Sequence, residues 1–188
     1  MTTTVYMVRH AKSPFIFGEE KTRKLSEEGV YDAKRVMELL REKDIDMIVS
    51  SPYTRAVQTV QQLAEKKGLP IFEYEVFKER AIKGLDYKLP EQDILNAIKL
   101  SFEDKLYCLQ GGESTFEAQS RAIPTFKQLL QQNKNIVMGT HGNIMTIIMN
   151  YFDERYGYDF WKSTSKPDIY ELTFERNHLK DVQRIWAY

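Results

Sequence analysis

The sequence predicts an α/β fold: a three-layer α/β/α sandwich with a mostly parallel central sheet. Two observations support this. Short apolar segments at 5–8, 45–49 and 136–139 are typical of buried strands, and the alternation of residues 71–77 predicts a further strand. Segments with apolar residues at helical spacing follow three of them. Such alternation of strands and helices predicts a largely parallel sheet with helices on both faces.

The first half of the chain carries clear helix boundaries. Ser26 is positioned as the N-cap of a helix that ends at about residue 41, and Glu27 and Glu28 suit the positive end of its dipole. A second helix is predicted over 54–67, because Gly68 stops it.

The second half is interrupted by an insert. Residues 80–112 are irregular around one helix, 91–103. Further helices are predicted over 114–132, with a kink at Pro124, and over 143–151. Two final strands, 170–174 and 179–186, flank polar residues typical of a hairpin turn.

Size and charge narrow the range of functions. The 188 residues predict a single domain, 1–188. Basic and acidic residues number 27 each, so net charge gives no argument for nucleic acid or a membrane surface as partner. The single cysteine, Cys108, permits no internal disulfide, and the first ten residues lack the pattern of a signal peptide. A cytoplasmic location is expected.

Chemically capable side chains follow the predicted strands. Arg9 and His10 follow the first, Arg55 the second, Glu79 the third and His141 the fourth. Because ligands of open α/β sheets bind beyond the carboxyl ends of the strands, these five residues are expected to converge.

Such a cluster suits phosphoryl transfer. An imidazole can form a covalent intermediate with phosphorus, and guanidinium forks match phosphate oxygens. A second imidazole can stabilise transition-state charge, and a carboxyl group can exchange protons with the leaving group and water. No zinc-type spacing is present, so neither a metal nor a cofactor is expected.

Several blocks together resemble the histidine phosphatase (phosphoglycerate mutase-like) superfamily. Residues 8–13, Val-Arg-His-Ala-Lys-Ser, resemble its Arg-His-Gly signature, and 50–59 resemble its Ser-Ser-Pro-x-x-Arg-Ala-x-Gln-Thr block. Gly-Glu-Ser at 112–114, Thr-His-Gly at 140–142 and Leu-Ser-x-x-Gly at 25–29 resemble three further blocks. The blocks occur in family order over residues 5 to 150.

The resemblance implies a phosphohistidine at His10 and phosphate contacts from Arg9, Arg55 and His141. It implies a proton donor at Glu79, although the family spacing of Glu-x-x-x-Gly is one residue shorter than from Glu79 to Gly84. Either the loop absorbs an insertion, or Asp86 is the acid. The rest of the substrate is expected to contact three nearby residues, Lys12, Ser13 and Arg80.

Phosphomonoester hydrolysis is the leading interpretation, with a small phosphorylated metabolite as substrate and inorganic phosphate as product. Lys12 and Ile16 depart from the residues of mutase-type members, which weighs against mutase activity. A mutase, a protein phosphohistidine phosphatase and a non-catalytic phospho-ligand module remain alternatives. The sequence does not indicate an oligomeric state.

Overall fold

The computed structural model describes residues 1–187 and forms one six-stranded mixed sheet between helices. The strands are β1 (Thr2–Arg9), β2 (Met47–Ser50), β3 (Ile71–Glu73), β4 (Ile136–Thr140), β5 (Asp168–Glu175) and β6 (His178–Arg184). Their order is β3-β2-β4-β1-β5-β6. The first four strands are mutually parallel. At one edge, β5 pairs antiparallel with β1, and β6 pairs antiparallel with β5. The predicted α/β fold with its mostly parallel sheet is confirmed.

Six helices accompany the sheet: α1 (Glu27–Leu40), α2 (Thr54–Lys67), α3 (Glu91–Glu103), α4 (Thr115–Leu130), α5 (Gly142–Phe152) and α6 (Tyr158–Ser163). Ser26 caps α1 by accepting from the backbone N–H of Gly29 at 3.0 Å. Gly68 ends α2 with a φ of +64°, a conformation that favours glycine. Pro124 lies inside α4, which continues through it.

The core has two halves, one on each face of the sheet. Along β1, Val5 and Met7 join the half that packs against α4 and α5, while Tyr6 and Val8 join the half beneath α1 and α2. This alternation follows from the two-residue period of a strand. The central strands β1, β2 and β4 are therefore buried on both faces, whereas the edge strands β3 and β6 are largely exposed. The carboxyl ends of the parallel strands lead into loops at one edge.

Two sequence-based predictions differ from the structure. The third strand ends at Glu73 rather than residue 77, and Glu75–Phe77 form a 3₁₀ turn. The backbone N–H of Tyr74 still bonds to Ser50, but the chain then turns away from the sheet. The sequence also gave no indication of α6, whose six residues are too few to show helical periodicity.

Candidate active site

His10 lies directly beyond β1 and is almost fully buried. Its backbone N–H bonds to Thr140 at 2.9 Å, which extends the pairing of β1 with β4. Its Nδ1 lies 2.7 Å from the carbonyl oxygen of Ala11, so Nδ1 carries the hydrogen in this contact. Arg55 Nε donates to the other ring nitrogen, Nε2, at 3.3 Å. The ring is therefore oriented with the Nε2 lone pair toward the arginine.

The surroundings of His10 keep it neutral. Burial, and next the positive charge of Arg55, lower the pKa of His10 well below its ordinary value. A neutral imidazole has the free electron pair that a nucleophile needs.

His141 is the N-cap residue of α5 and stands beside His10, with ring centroids 5.2 Å apart. Its Nε2 lies 2.8 Å from the hydroxyl of Ser51, at the end of β2. Burial, and next the neighbouring His10, lower the pKa of His141. Its Nδ1 is buried and has no hydrogen-bond partner within residues 1–187.

Arg9 and Arg55 approach the two histidines from different elements. Arg55 is the second residue of α2 and is 1% exposed. Arg9 crosses the first residue of α5 so closely that a methyl group on Gly142 would lie 2.6 Å from its Cζ. Arg9 also donates to Thr164, the residue that ends α6. The helix that the sequence did not indicate therefore helps to position Arg9.

Glu79 lies at the N-terminus of α5. Its carboxylate accepts from the backbone N–H groups of Ile144 and Arg80, both at 2.8 Å, and of Asn143 at 3.1 Å. The positive end of the α5 dipole favours a negatively charged carboxylate at this position. Asp86, the alternative acid, instead lines a separate shallow cavity with Tyr87, Gln110 and Gly111.

The structure therefore brings Arg9, His10, Arg55, Glu79 and His141 together at one edge of the sheet. The side chains of the three predicted substrate contacts form bonds with other protein groups. Lys12 is exposed and pairs with Glu28 on α1 at 2.7 Å. The hydroxyl of Ser13 donates to the carbonyl of Lys24 at 2.7 Å.

Arg80 is 2% exposed, and the hydrogen-bond partners of its guanidinium lie outside this group of five residues. Its guanidinium donates to Ser101 at 2.8 Å, to Asn143 at 3.0 Å and to Thr115 at 3.3 Å. Burial lowers its pKa to about 10. These contacts join α3, α4 and α5, so the observed geometry of Arg80 is that of an internal cross-link.

Three further residues belong to the site. Glu20 Oε1 lies 2.6 Å from Arg55 Nη2, and Glu20 Oε2 lies 3.6 Å from Arg23 Nε. Burial and the charge of Arg55 lower the pKa of Arg23. Desolvation by the surrounding protein, and next the charge of Arg9, lower the pKa of Lys166. In the sequence, Arg23 is one of several cations in loops near the predicted strand ends, whereas no sequence signal indicated Glu20 or Lys166.

Neither a metal-ligand cluster nor a membrane span is found in the described part of the chain. No three His, Cys, Asp or Glu side chains of residues 1–187 are grouped as metal ligands. Among the helices of the same residues, none has the length and apolar character needed to cross a bilayer.

The family model of the histidine phosphatase superfamily (branch 1) matches residues 5–184, and the chain belongs to this family. Among its relatives is a 2,3-bisphosphoglycerate-dependent phosphoglycerate mutase of Chlamydia trachomatis, 23% identical, with 93% of this chain and 96% of the mutase aligned. Another is a glucosyl-3-phosphoglycerate phosphatase of Mycobacterium tuberculosis, 24% identical over 76% of this chain and 71% of the relative.

Solved structures show the same fold. The mycobacterial glucosyl-3-phosphoglycerate phosphatase superposes with a TM-score of 0.77 at 20% identity, covering 98% of this chain and 97% of the other. A phosphoglycerate mutase from Bacillus anthracis superposes with a TM-score of 0.72 at 16% identity, covering 95% and 91%. Both phosphatases and mutases thus share this architecture.

Proposed function

We propose that the chain is a single-domain, metal-independent phosphomonoester hydrolase that acts through a covalent phosphohistidine at His10. The observation that carries the proposal is the state of the His10 ring. Its Nδ1 is held by the Ala11 carbonyl at 2.7 Å, and its Nε2 faces Arg55 at 3.3 Å. A neutral nucleophile next to a phosphate-binding guanidinium is the arrangement that phosphoryl transfer requires.

In the first step, His10 Nε2 forms a bond to phosphorus while the bond from phosphorus to the ester oxygen breaks. The leaving alcohol takes a proton from the Glu79 carboxyl group. In the second step, water attacks the phosphohistidine, Glu79 accepts the water proton, and the bond from phosphorus to Nε2 breaks. Inorganic phosphate leaves, and His10 and Glu79 return to their initial states.

Arg9, Arg55 and His141 bind the phosphoryl oxygens in this proposal. Two guanidinium groups neutralise oxygens that carry charge throughout the transfer. His141 Nδ1 supports a role in binding, because a buried polar atom without a protein partner requires one from a ligand or water.

The first experiment measures phosphate release from 4-nitrophenyl phosphate and from an alkyl phosphate, with a chelator present. We expect turnover by the wild type and none by His10→Ala at an unchanged Tm. Turnover that needs an added metal ion, or that survives in His10→Ala, contradicts the proposal.

Substrates whose leaving groups differ in their need for a proton test the role of Glu79 as the acid. Glu79→Gln is expected to lower kcat by about 10²- to 10⁴-fold on the alkyl ester. The loss should be much smaller on the 4-nitrophenyl ester, whose leaving group needs no proton. Asp86→Asn is the matched control and should leave both rates unchanged. If Asp86→Asn shows the leaving-group-dependent loss instead, Asp86 is the acid.

A mutase is the second candidate, because the chlamydial mutases align along 93% of this chain. A mutase returns the phosphoryl group to a glycerate hydroxyl, whereas a hydrolase transfers it to water. Interconversion of 2- and 3-phosphoglycerate, primed with 2,3-bisphosphoglycerate and faster than phosphate release, would favour this candidate.

A further inference from the structure

A mainly apolar cavity lies next to the candidate active site. It has a volume of about 540 Å³, within the usual range of small-molecule sites. One wall is the loop after β1, and the other is the insert that carries α3. Seven large apolar side chains line it: Phe15, Ile16, Phe17, Ile82, Leu85, Ile94 and Ile98.

The inner end of this cavity is continuous with the candidate active site. Glu20 and Arg23, which line it, contact each other, and Glu20 contacts Arg55. Asn143 also lines it, and the backbone N–H of Asn143 holds the Glu79 carboxylate. When an ester oxygen receives its proton from Glu79, the carbon substituent of that oxygen therefore lies at the inner end of this cavity.

The lining carries charges of both signs. Arg23 Nε lies 3.6 Å from Glu20 and has no hydrogen-bond partner within residues 1–187. Lys83 donates to the carbonyl oxygens of Gly84 and Tyr87, which leave its charge uncompensated. The inference therefore rests on the apolar side chains of the lining.

Several of the apolar side chains are incompletely covered by protein. Phe15 is 70% exposed, Leu85 50% and Phe17 44%. The Lys88 ammonium lies 4.8 Å from the ring centre of Phe17, which connects the two walls. Clustered exposure of large apolar groups beside a polar site is typical of a ligand-binding surface.

We propose that this cavity binds the alcohol part of the substrate, and that this part is an extended apolar group, alkyl or aromatic. The inference rests on the proposed hydrolase function and specifies its substrate class. Binding energy from the apolar group then contributes to kcat/KM, because the group is buried in the bound state.

A series of n-alkyl phosphates tests the inference, because butyl, hexyl and octyl alcohols are equally poor leaving groups. We expect kcat/KM to rise about three- to fourfold per methylene until the cavity is filled. An unchanged kcat/KM along the series overturns the inference.

Surface variants assign the effect to the cavity. Phe17→Ser and Leu85→Ser should each lower kcat/KM on octyl phosphate at least about fivefold, with a smaller loss on butyl phosphate. Phe72→Ser is the control, since Phe72 on β3 is 46% exposed and lies outside the cavity. Equal losses in all three variants, or none in the first two, contradict the assignment.

Binding of alkylphosphonates separates this inference from the proposed function. Phosphonates are not hydrolysed, so calorimetry measures their affinity whether or not the chain is a hydrolase. Affinity that rises with chain length, and falls in Phe17→Ser, supports the cavity assignment even if no ester is turned over. Affinity that is independent of chain length overturns it even if esters are hydrolysed.

Discussion

Substitution of Gly142 by alanine is expected to abolish most activity without loss of stability. Gly142 is the first residue of α5, and an added Cβ would lie 2.6 Å from Arg9 Cζ and 2.8 Å from Arg9 Nε and Nη2. Carbon atoms in ordinary contact are about 3.5 to 4.0 Å apart. The guanidinium must therefore move by roughly 1 Å, which disturbs its hydrogen bond with Thr164.

The two consequences of this movement differ in size. The free energy of unfolding should change little, because the end of a flexible side chain can move aside. Alanine in a helix also stabilises the fold by about 0.4 to 1 kcal/mol relative to glycine. Tm should stay the same or rise by a few degrees. Catalysis loses more, because a displacement of roughly 1 Å at a positioning group costs about 10²-fold. We expect kcat/KM to fall by about that factor and affinity for inorganic phosphate to fall with it.

The assay combines thermal unfolding, steady-state kinetics and phosphate binding. Gly157→Ala is the matched control, because its Cβ would meet its nearest neighbour, Phe102 Cβ, at an ordinary 4.0 Å. Full activity of Gly142→Ala refutes the role given to Arg9. A large fall in Tm refutes the claim that only the Arg9 guanidinium moves to accommodate the methyl group.

Three other predictions follow from neighbouring contacts. Glu20→Gln should tighten inorganic phosphate binding about fivefold in calorimetry, because Glu20 competes for Arg55; weaker binding contradicts this competition. Burial keeps His10 and His141 neutral when folded, so stability in urea should be full above about pH 6.5 and fall below it. Below that pH, the free energy of unfolding should fall by up to about 1.4 kcal/mol per pH unit for each histidine. The same slope in His141→Gln as in the wild type would contradict the assignment of this pH dependence to His141. Arg80→Met should lower the free energy of unfolding by about 3 kcal/mol with little change in KM, whereas a selective rise in KM would restore the predicted substrate contact.

Much of the fold could be predicted because its signals are local. The helices over 54–67 and 91–103 have the predicted bounds, since apolar periodicity coincides with Gly68 at the end of the first and with Pro90 at the start of the second. The third strand was overestimated because alternation continues past Glu73, where only tertiary contacts decide that the chain turns into a 3₁₀ helix.

The location of the site could also be predicted, since strand ends at one sheet edge must converge. Contacts within it could not. Glu79 contacts only the N-terminus of α5 among the helices, whereas its neighbour Arg80 joins α5 to α3 and α4. The sequence gives no means of assigning different partners to two adjacent loop residues. Glu20 pairs with Arg55 across 35 positions, and no periodic pattern encodes such a pairing.

Trapping of the phosphoenzyme tests the central claim most directly. The wild type, with chelator present, is mixed rapidly with 4-nitrophenyl phosphate, quenched in alkali and analysed by peptide mass spectrometry. The account predicts one phosphoryl group on the peptide containing His10, formed before free phosphate and absent from His10→Ala. Phosphate release without phosphorylation of His10, or a phosphoryl group on another residue, would contradict the account.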